Sequence, residues 1–151
     1  VFVGLQGLFY FLSNTVNFEY ALMAVGEVLS QRDSPIYQNH IIPPITNPLL
    51  VKLALITIMT GELLVGLISF KGALDMFSKL GAPAAAFNAS KKYAILGCAM
   101  ALIVWFGFFT VIGTALLQMW QGQVGGGSFE GSFIYLGTSA FVMLFVNMAD
   151  E

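Results

Sequence analysis

The sequence predicts an all-α integral membrane protein, a four-helix bundle with one short amphipathic helix at the membrane interface after the first span. Of its 151 residues, 58% are hydrophobic and only 9% are charged, whereas a soluble domain usually carries about 25% charged residues. Long uncharged runs also alternate with shorter polar segments. Because so few charges cannot cover a water-facing surface, we expect one transmembrane domain, residues 1–151, in contact with the lipid bilayer.

The first span is expected at about residues 1–16. Its strongly apolar part, residues 1–13, would rise only about 20 Å as a helix, which is less than the roughly 30 Å hydrocarbon core. Extension through Val16, or further residues before Val1, would complete the crossing. Because the chain begins with valine and not with methionine, we expect that a few residues precede it.

Residues 17–48 form a polar connection that cannot span. Its first part predicts a short amphipathic helix at the interface or against the bundle, because apolar side chains recur at helical spacing among polar ones. The apolar positions are Phe18, Leu22, Val25 and Leu29, and the polar ones are Glu19, Glu27 and Gln31. Farther on, Pro43 and Pro44 favour an extended backbone.

The second span is expected at residues 49–70. Asn47 can cap the helix and Pro48 suits its first position. The 22-residue run would rise about 33 Å, a full crossing. Lys52 lies close enough to one end to extend its amine to the headgroups, whereas Glu62 lies near the middle.

The third span is expected at residues 93–120, which carry no charge and have Tyr93 and Trp120 at their ends, as an aromatic belt would. Small residues that favour helix packing lie within it: Gly97, Ala101 and Gly107. A flexible glycine-rich link, residues 121–128, then precedes a fourth span at residues 133–148.

The basic residues predict the orientation. The loop at residues 71–92 holds four of the six lysines and arginines, so the positive-inside rule places this loop in the cytoplasm. With four spans, both termini are then cytoplasmic and the loop at residues 17–48 faces outward.

Glu62 is the most informative single residue, because a carboxyl group at mid-membrane is costly and should face the protein interior. One interpretation is a proton-relay or ligand-contact residue. The other is a structural carboxyl group, hydrogen-bonded between helices. Its candidate intramembrane polar partners include Thr60 and Thr110, with Thr57 and Thr114 as further possibilities.

Other conspicuous side chains predict contacts with lipid or a partner: Trp105, Phe106, Trp120 and His40. The aromatic cluster around Trp105 could stack on a quinone or a pigment, although such clusters are more often packing. A single histidine and a single cysteine, Cys98, offer no paired haem ligands, no metal site and no nucleophile–base pair. We therefore expect no cofactor, no metal and no enzymatic activity, and the net charge of −2 does not favour nucleic-acid binding.

Six short motifs along nearly the whole chain resemble a bacterial family of predicted small integral membrane proteins, domain of unknown function 2165. The motifs are Pro43-Pro44-Ile45-Thr46-Asn47-Pro48, Gly61-Glu62-Leu63, Ala84-Ala85-Ala86-Phe87-Asn88-Ala89-Ser90-Lys91-Lys92, Val104-Trp105-Phe106-Gly107, Gln118-Met119-Trp120-Gln121 and Leu144-Phe145-Val146-Asn147. The resemblance implies four spans in a bacterial inner membrane, and it implies no activity.

Two functional hypotheses follow. The first is an accessory or structural subunit of a larger bacterial inner-membrane complex, respiratory or photosynthetic, because the chain has little soluble mass and many side chains suited to helix packing. The alternative is a small oligomeric transporter or proton-linked channel that uses Glu62.

Overall fold

The structure, a computed structural model, describes all residues from 1 to 151, and they form helices without any strand. We number the α-helices α1 to α6 in chain order. They are α1 (Phe2–Val16), α2 (Phe18–Ser30), α3 (Pro48–Phe77), α4 (Ala84–Ser90), α5 (Lys92–Leu102) and α6 (Gln123–Asn147). A π-helix, Ile103–Leu116, continues α5, and a short 3-10 turn, Met119–Gln121, leads into α6.

Three helices are long and apolar enough to cross a membrane: Pro48–Phe77, the continuous stretch Ala84–Leu116, and Gln123–Asn147. Their contacts with each other and with α1 enclose a small core of Val3, Val65, Cys98, Ala101, Val104 and Trp105. About half of the large apolar side chains outside this core are exposed, which is the pattern expected of a surface that faces lipid.

Helices α1 and α2 follow each other almost without interruption. At the junction the Asn17 N–H donates to the Ser13 carbonyl at 3.0 Å, and the Ala21 N–H donates to the Asn17 carbonyl at 2.9 Å. The expected amphipathic segment is therefore helical. It is a separate helix that directly follows α1, because the backbone of Asn17 between them is not helical, with φ of −113° and ψ of 34°.

Helices α1 and α2 both pack against α3, one after the other along its length. Gly4 lies beside Ser69, Gly7 beside Val65, and Gly26 beside Val51. As the residue numbers rise in α1 and α2 they fall in α3, so the two helices together run antiparallel along it. Helix α2 thus lies beside a long helix of the bundle and not apart from it.

Helix α3 begins as predicted. The Asn47 side-chain oxygen accepts a hydrogen bond from the Leu49 N–H at 2.9 Å, and Pro48 occupies the first turn. The helix ends at Phe77, seven residues beyond the expected end of the second span. Gly72 allows the backbone of α5 to approach closely at Ala94, so tertiary packing supports the added turns.

The third long helix ends earlier than expected. From Ile103 onward its hydrogen bonds follow the π pattern, in which the Leu117 N–H donates to the Ile112 carbonyl at 2.9 Å. Gln118 then adopts a left-handed conformation with φ of 58°, which ends the helix. The predicted span to residue 120 is therefore too long, and Trp120 lies in the 3-10 turn.

The predicted flexible link is wrong, because most of it belongs to α6. The Asp33 carboxylate accepts a hydrogen bond from the Gln123 N–H at 2.9 Å and so caps the helix from a distant loop. Gly125 permits close contact with the Met119 backbone. Gly125 therefore allows close packing in a helix whose first N–H is capped by a tertiary contact.

Candidate functional site

Glu62 lies in the protein interior, as its position in the middle of α3 suggested. Only 1% of its surface is exposed. The side-chain amide of Asn14, on α1, donates to both carboxyl oxygens, at 3.1 and 2.9 Å. The pair joins α1 to α3 near the middle of α3, because a buried carboxyl group needs a hydrogen-bond donor.

The four threonines proposed as partners of Glu62 do not donate to it. Thr60 is exposed and its hydroxyl donates to the Ile56 carbonyl of its own helix, at 2.7 Å. The Thr110 hydroxyl donates to the Trp105 carbonyl, at 3.3 Å. Thr57 and Thr114 also donate to carbonyls of their own helices. Local backbone acceptors compete successfully for such hydroxyls.

Sequence reasoning missed Asn14. It lies four residues after Tyr10, so both side chains occupy one face of α1. One signal was available in the sequence. Asn14 is an amide directly after the apolar run of the first span, and the buried Glu62 carboxyl group of the second span needs a hydrogen-bond donor. Spacing within α1 could not indicate which residue of α3 lies opposite.

An aromatic layer lies beside the Glu62–Asn14 pair. It consists of Tyr10 on α1, Trp105 on the π-helix and Tyr135 on α6. The Tyr10 and Tyr135 hydroxyls are hydrogen-bonded to each other. Ring centroids are 5.1 Å apart for the two tyrosines, 6.3 Å for Tyr10 and Trp105, and 5.8 Å for Trp105 and Tyr135. These tilted and edge-to-face pairs join three helices.

Trp105 is therefore a core residue, with 2% of its surface exposed, and the expectation that it contacts lipid or a partner is wrong. Its neighbour Phe106 is exposed, so a contact with lipid or a partner stays a prediction there. The difference arises because the helix turns successive side chains toward different faces.

Two of the three predicted packing residues lie at helix contacts. Gly97 abuts Ser69 of α3, and Ala101 is fully buried. Around Gly107, by contrast, a side chain would meet no atom within 4 Å, so within this chain it is not a packing residue.

Trp120 and His40 lie away from Glu62. Trp120 packs edge-to-face on Tyr37 at 5.6 Å, so it contacts the long loop of its own chain while staying partly exposed. His40 is half-buried, and its Nδ1 is enclosed without a hydrogen-bond partner. The structure does not bring either residue to the mid-helix pair.

A partly open cavity of about 340 Å³ adjoins the Glu62–Asn14 pair. Asn14 lines it together with residues of α2, α3 and the π-helix, most of them apolar. Phe108 and Phe109 of the π-helix form part of its wall. The same π-helix thus contributes Trp105 to the aromatic layer and part of the wall of this cavity.

No group of three or more His, Cys, Asp or Glu side chains is placed to hold a metal ion. Cys98 is a buried free thiol. The arrangement around Glu62 consists of one hydrogen-bonded carboxyl group, one amide and a mostly apolar cavity.

Comparison with known proteins is informative at the family level. The chain matches no curated protein and no solved structure. A family model described as predicted small integral membrane protein (DUF2165) matches residues 1–149. With a match over nearly its full length and three helices able to cross a membrane, the chain belongs to this family of small integral membrane proteins.

Proposed function

We propose that this protein is a non-catalytic accessory subunit of a larger complex in a bacterial inner membrane. The observation that carries the proposal is the uncovered outer side of α6. Within its most apolar 18 residues only 11% are buried, against 39% for α3. Because so little of α6 is buried against the other helices of this chain, most of its surface is free to contact a helix of another protein.

Glycines support the same proposal. Gly7, Gly72 and Gly97 lie at helix contacts where an added side chain would overlap a neighbour. Around Gly127 and Gly137 of α6, an added side chain would meet nothing. Because small residues permit close helix approach in membranes, we infer that a helix outside this chain approaches α6 there.

The occupant we propose is a transmembrane helix of a different protein that carries a basic or amide side chain. Gly127, Glu130, Ile134 and Gly137 lie on one face of α6, which we call the docking face. Glu130 is exposed and forms no ion pair in this chain. A donor on the partner helix would complement its carboxylate.

The test is purification from native membranes in mild detergent, compared between variants. We expect Gly137→Leu to lose a partner that the wild type retains at fixed stoichiometry, because leucine would fill the space of the partner helix. Thr60→Leu is the matched control, since Thr60 is exposed on α3, and it should retain the partner. Equal retention by both variants, or self-association without another protein, contradicts the proposal.

We also propose four crossings. Residues 2–30, which α1 and α2 cover except for Asn17, would rise about 43 Å if the two helices were collinear, enough for a bilayer. Both termini would then be cytoplasmic. An impermeant thiol reagent added outside intact cells should label Tyr37→Cys and leave Leu80→Cys unlabelled. The native Cys98 is buried, so it should contribute little labelling of its own. Labelling of Leu80→Cys but not of Tyr37→Cys would contradict this topology.

A proton-linked channel or transporter is a second candidate, favoured by one observation. Asn14 contacts both Glu62 and the cavity, so a single amide separates the buried carboxyl group from that cavity. Flux in proteoliposomes that is abolished in Glu62→Gln would support transport. Flux that is absent in the wild type or unchanged in the variant would exclude it.

A further inference from the structure

The cavity beside Asn14 has mostly apolar walls with few polar atoms. Ala24 and Val25 of α2, Ala54 of α3, and Phe108 and Ile112 of the π-helix contribute to these walls. An engineered apolar cavity of about 150 Å³ accommodates benzene. The present volume of about 340 Å³ is thus sufficient for about two aromatic rings or a dozen carbon atoms.

The three polar side chains that line the cavity share one property: their donors are already used. The Asn14 amide group donates to both oxygens of Glu62. The Thr57 hydroxyl donates to the Leu53 carbonyl at 2.8 Å. The Ser128 hydroxyl likewise donates to the Val124 carbonyl, at 3.0 Å.

Free acceptor capacity is therefore what these side chains can offer a ligand. The Asn14 carbonyl oxygen accepts no hydrogen bond from the protein, and it is not among the enclosed polar atoms that lack a partner. It is thus accessible on a side chain that lines the cavity. The hydroxyl oxygens of Thr57 and Ser128 retain lone pairs as well.

We propose that this cavity binds an uncharged, mainly apolar molecule whose polar end is a hydroxyl group that donates to Asn14. The walls match its apolar body. A ligand whose polar end only accepts, such as a carbonyl or an ether, would leave the Asn14 oxygen unpaired. A ligand carboxylate would meet only acceptor oxygens in the cavity. It would also lie near the Glu62 carboxyl group, which is hydrogen-bonded to Asn14.

The test measures ligand-dependent rises in the thermal midpoint of the full chain in nanodiscs, since a ligand that binds the folded state stabilises it. The probes are 4-phenylphenol and 1-dodecanol, each paired with its methyl ether, and 4-phenylbenzoate as the anion. We expect each alcohol or phenol to bind about tenfold more tightly than its ether, the effect of roughly one hydrogen bond. Equal responses to each alcohol and its ether, or a stronger response to the benzoate, overturn the proposal.

The two alcohols distinguish the source of the ligand. A preference for 4-phenylphenol indicates a ring-containing membrane molecule, and a preference for 1-dodecanol indicates an aliphatic lipid alcohol. In both cases the preferred alcohol must also bind more tightly than its own methyl ether, because otherwise the hydroxyl group does not donate a hydrogen bond in the cavity.

Two variants locate the site. Ala24→Phe fills the cavity and should abolish the response to both alcohols, whereas Ala115→Phe, on the exposed side of the π-helix, should preserve it. The double variant Asn14→Leu with Glu62→Leu removes the acceptor without leaving a buried carboxyl group unpaired. It should bind alcohol and ether equally well, and a retained preference for the alcohol overturns the role given to Asn14.

Discussion

The two halves of the bundle differ in how their helices meet. Along residues 62–77 of α3, glycines bring backbones into contact with α1 and α5, at Gly7, Gly72 and Gly97. Along residues 48–61, α3 touches α2 at Val51 and the π-helix at Gly61, and the 340 Å³ cavity opens among these three helices. We call these the packed half and the cavity half. Lipid chains are as apolar as the side chains, so close packing, and not exclusion of water, holds helices together, and the packed half should contribute most of the stability.

The largest effect is expected from Gly72→Ala in the packed half. The added Cβ would overlap backbone atoms of Ala94, and a backbone cannot rotate away as a side chain can. We expect a loss of about 3 kcal/mol of unfolding free energy, the upper part of the range for overpacking. Denaturant unfolding in mixed micelles measures it.

The matched control for that variant is Gly137→Ala on the exposed side of α6, where a Cβ meets nothing. It should be neutral or stabilise by up to about 1 kcal/mol, because alanine favours the helix over glycine. Similar losses in both variants would show that close packing does not distinguish the two sites.

Loss of the buried hydrogen bond at the boundary between the halves should have the next largest effect. Asn14→Leu leaves the Glu62 carboxyl group, which is 1% exposed, without its donor. We expect a cost of roughly 2 kcal/mol, as for other buried polar groups left unpaired. Unfolding under the same conditions as for Gly72→Ala provides the comparison.

Asn17→Leu is its control, because Asn17 is exposed and its amide group donates only to the Ser13 carbonyl of its own chain segment. A change near zero is expected there. If the two leucine variants were equally stable, the Glu62–Asn14 pair would contribute nothing to the fold, and the case for a functional Glu62 would be stronger.

The last comparison adds volume to each half, and the smallest single effect is expected in the cavity half. Ala24→Leu enters the cavity and should stabilise the protein by about 1 kcal/mol, as cavity-filling substitutions commonly do. Ala101→Leu enters a fully buried position of the core and should destabilise it by about 1–3 kcal/mol. Opposite signs in thermal unfolding are the expected outcome. The same sign in both variants would mean that the two halves are packed equally well.

Much of the fold could be predicted from the sequence because the relevant signals are local. The start of α3 follows from Asn47 and Pro48, whose capping geometry involves neighbouring residues only. The α-helical class and the membrane environment follow from composition and long uncharged runs.

Predictions that depended on distant partners were less successful. The glycine-rich segment read as a flexible link is helical because Asp33, ninety residues earlier, caps its first N–H. Trp105 was predicted to contact lipid or a partner, with packing as the alternative, and it packs against Tyr10 and Tyr135 of two other helices. Neither contact has a signature within its own segment.

The sequence by itself determined that this chain is helical, that it suits a membrane, and that Glu62 should face inward, because each conclusion rests on the solvation of residues near one another in the chain. Only the tertiary structure decided that Asn14 binds Glu62, that α2 follows α1 along α3, and that a mostly apolar cavity lies beside the pair. The physical reason is that helix spacing fixes which side chains share a face, whereas the register between helices depends on how several surfaces fit together at once.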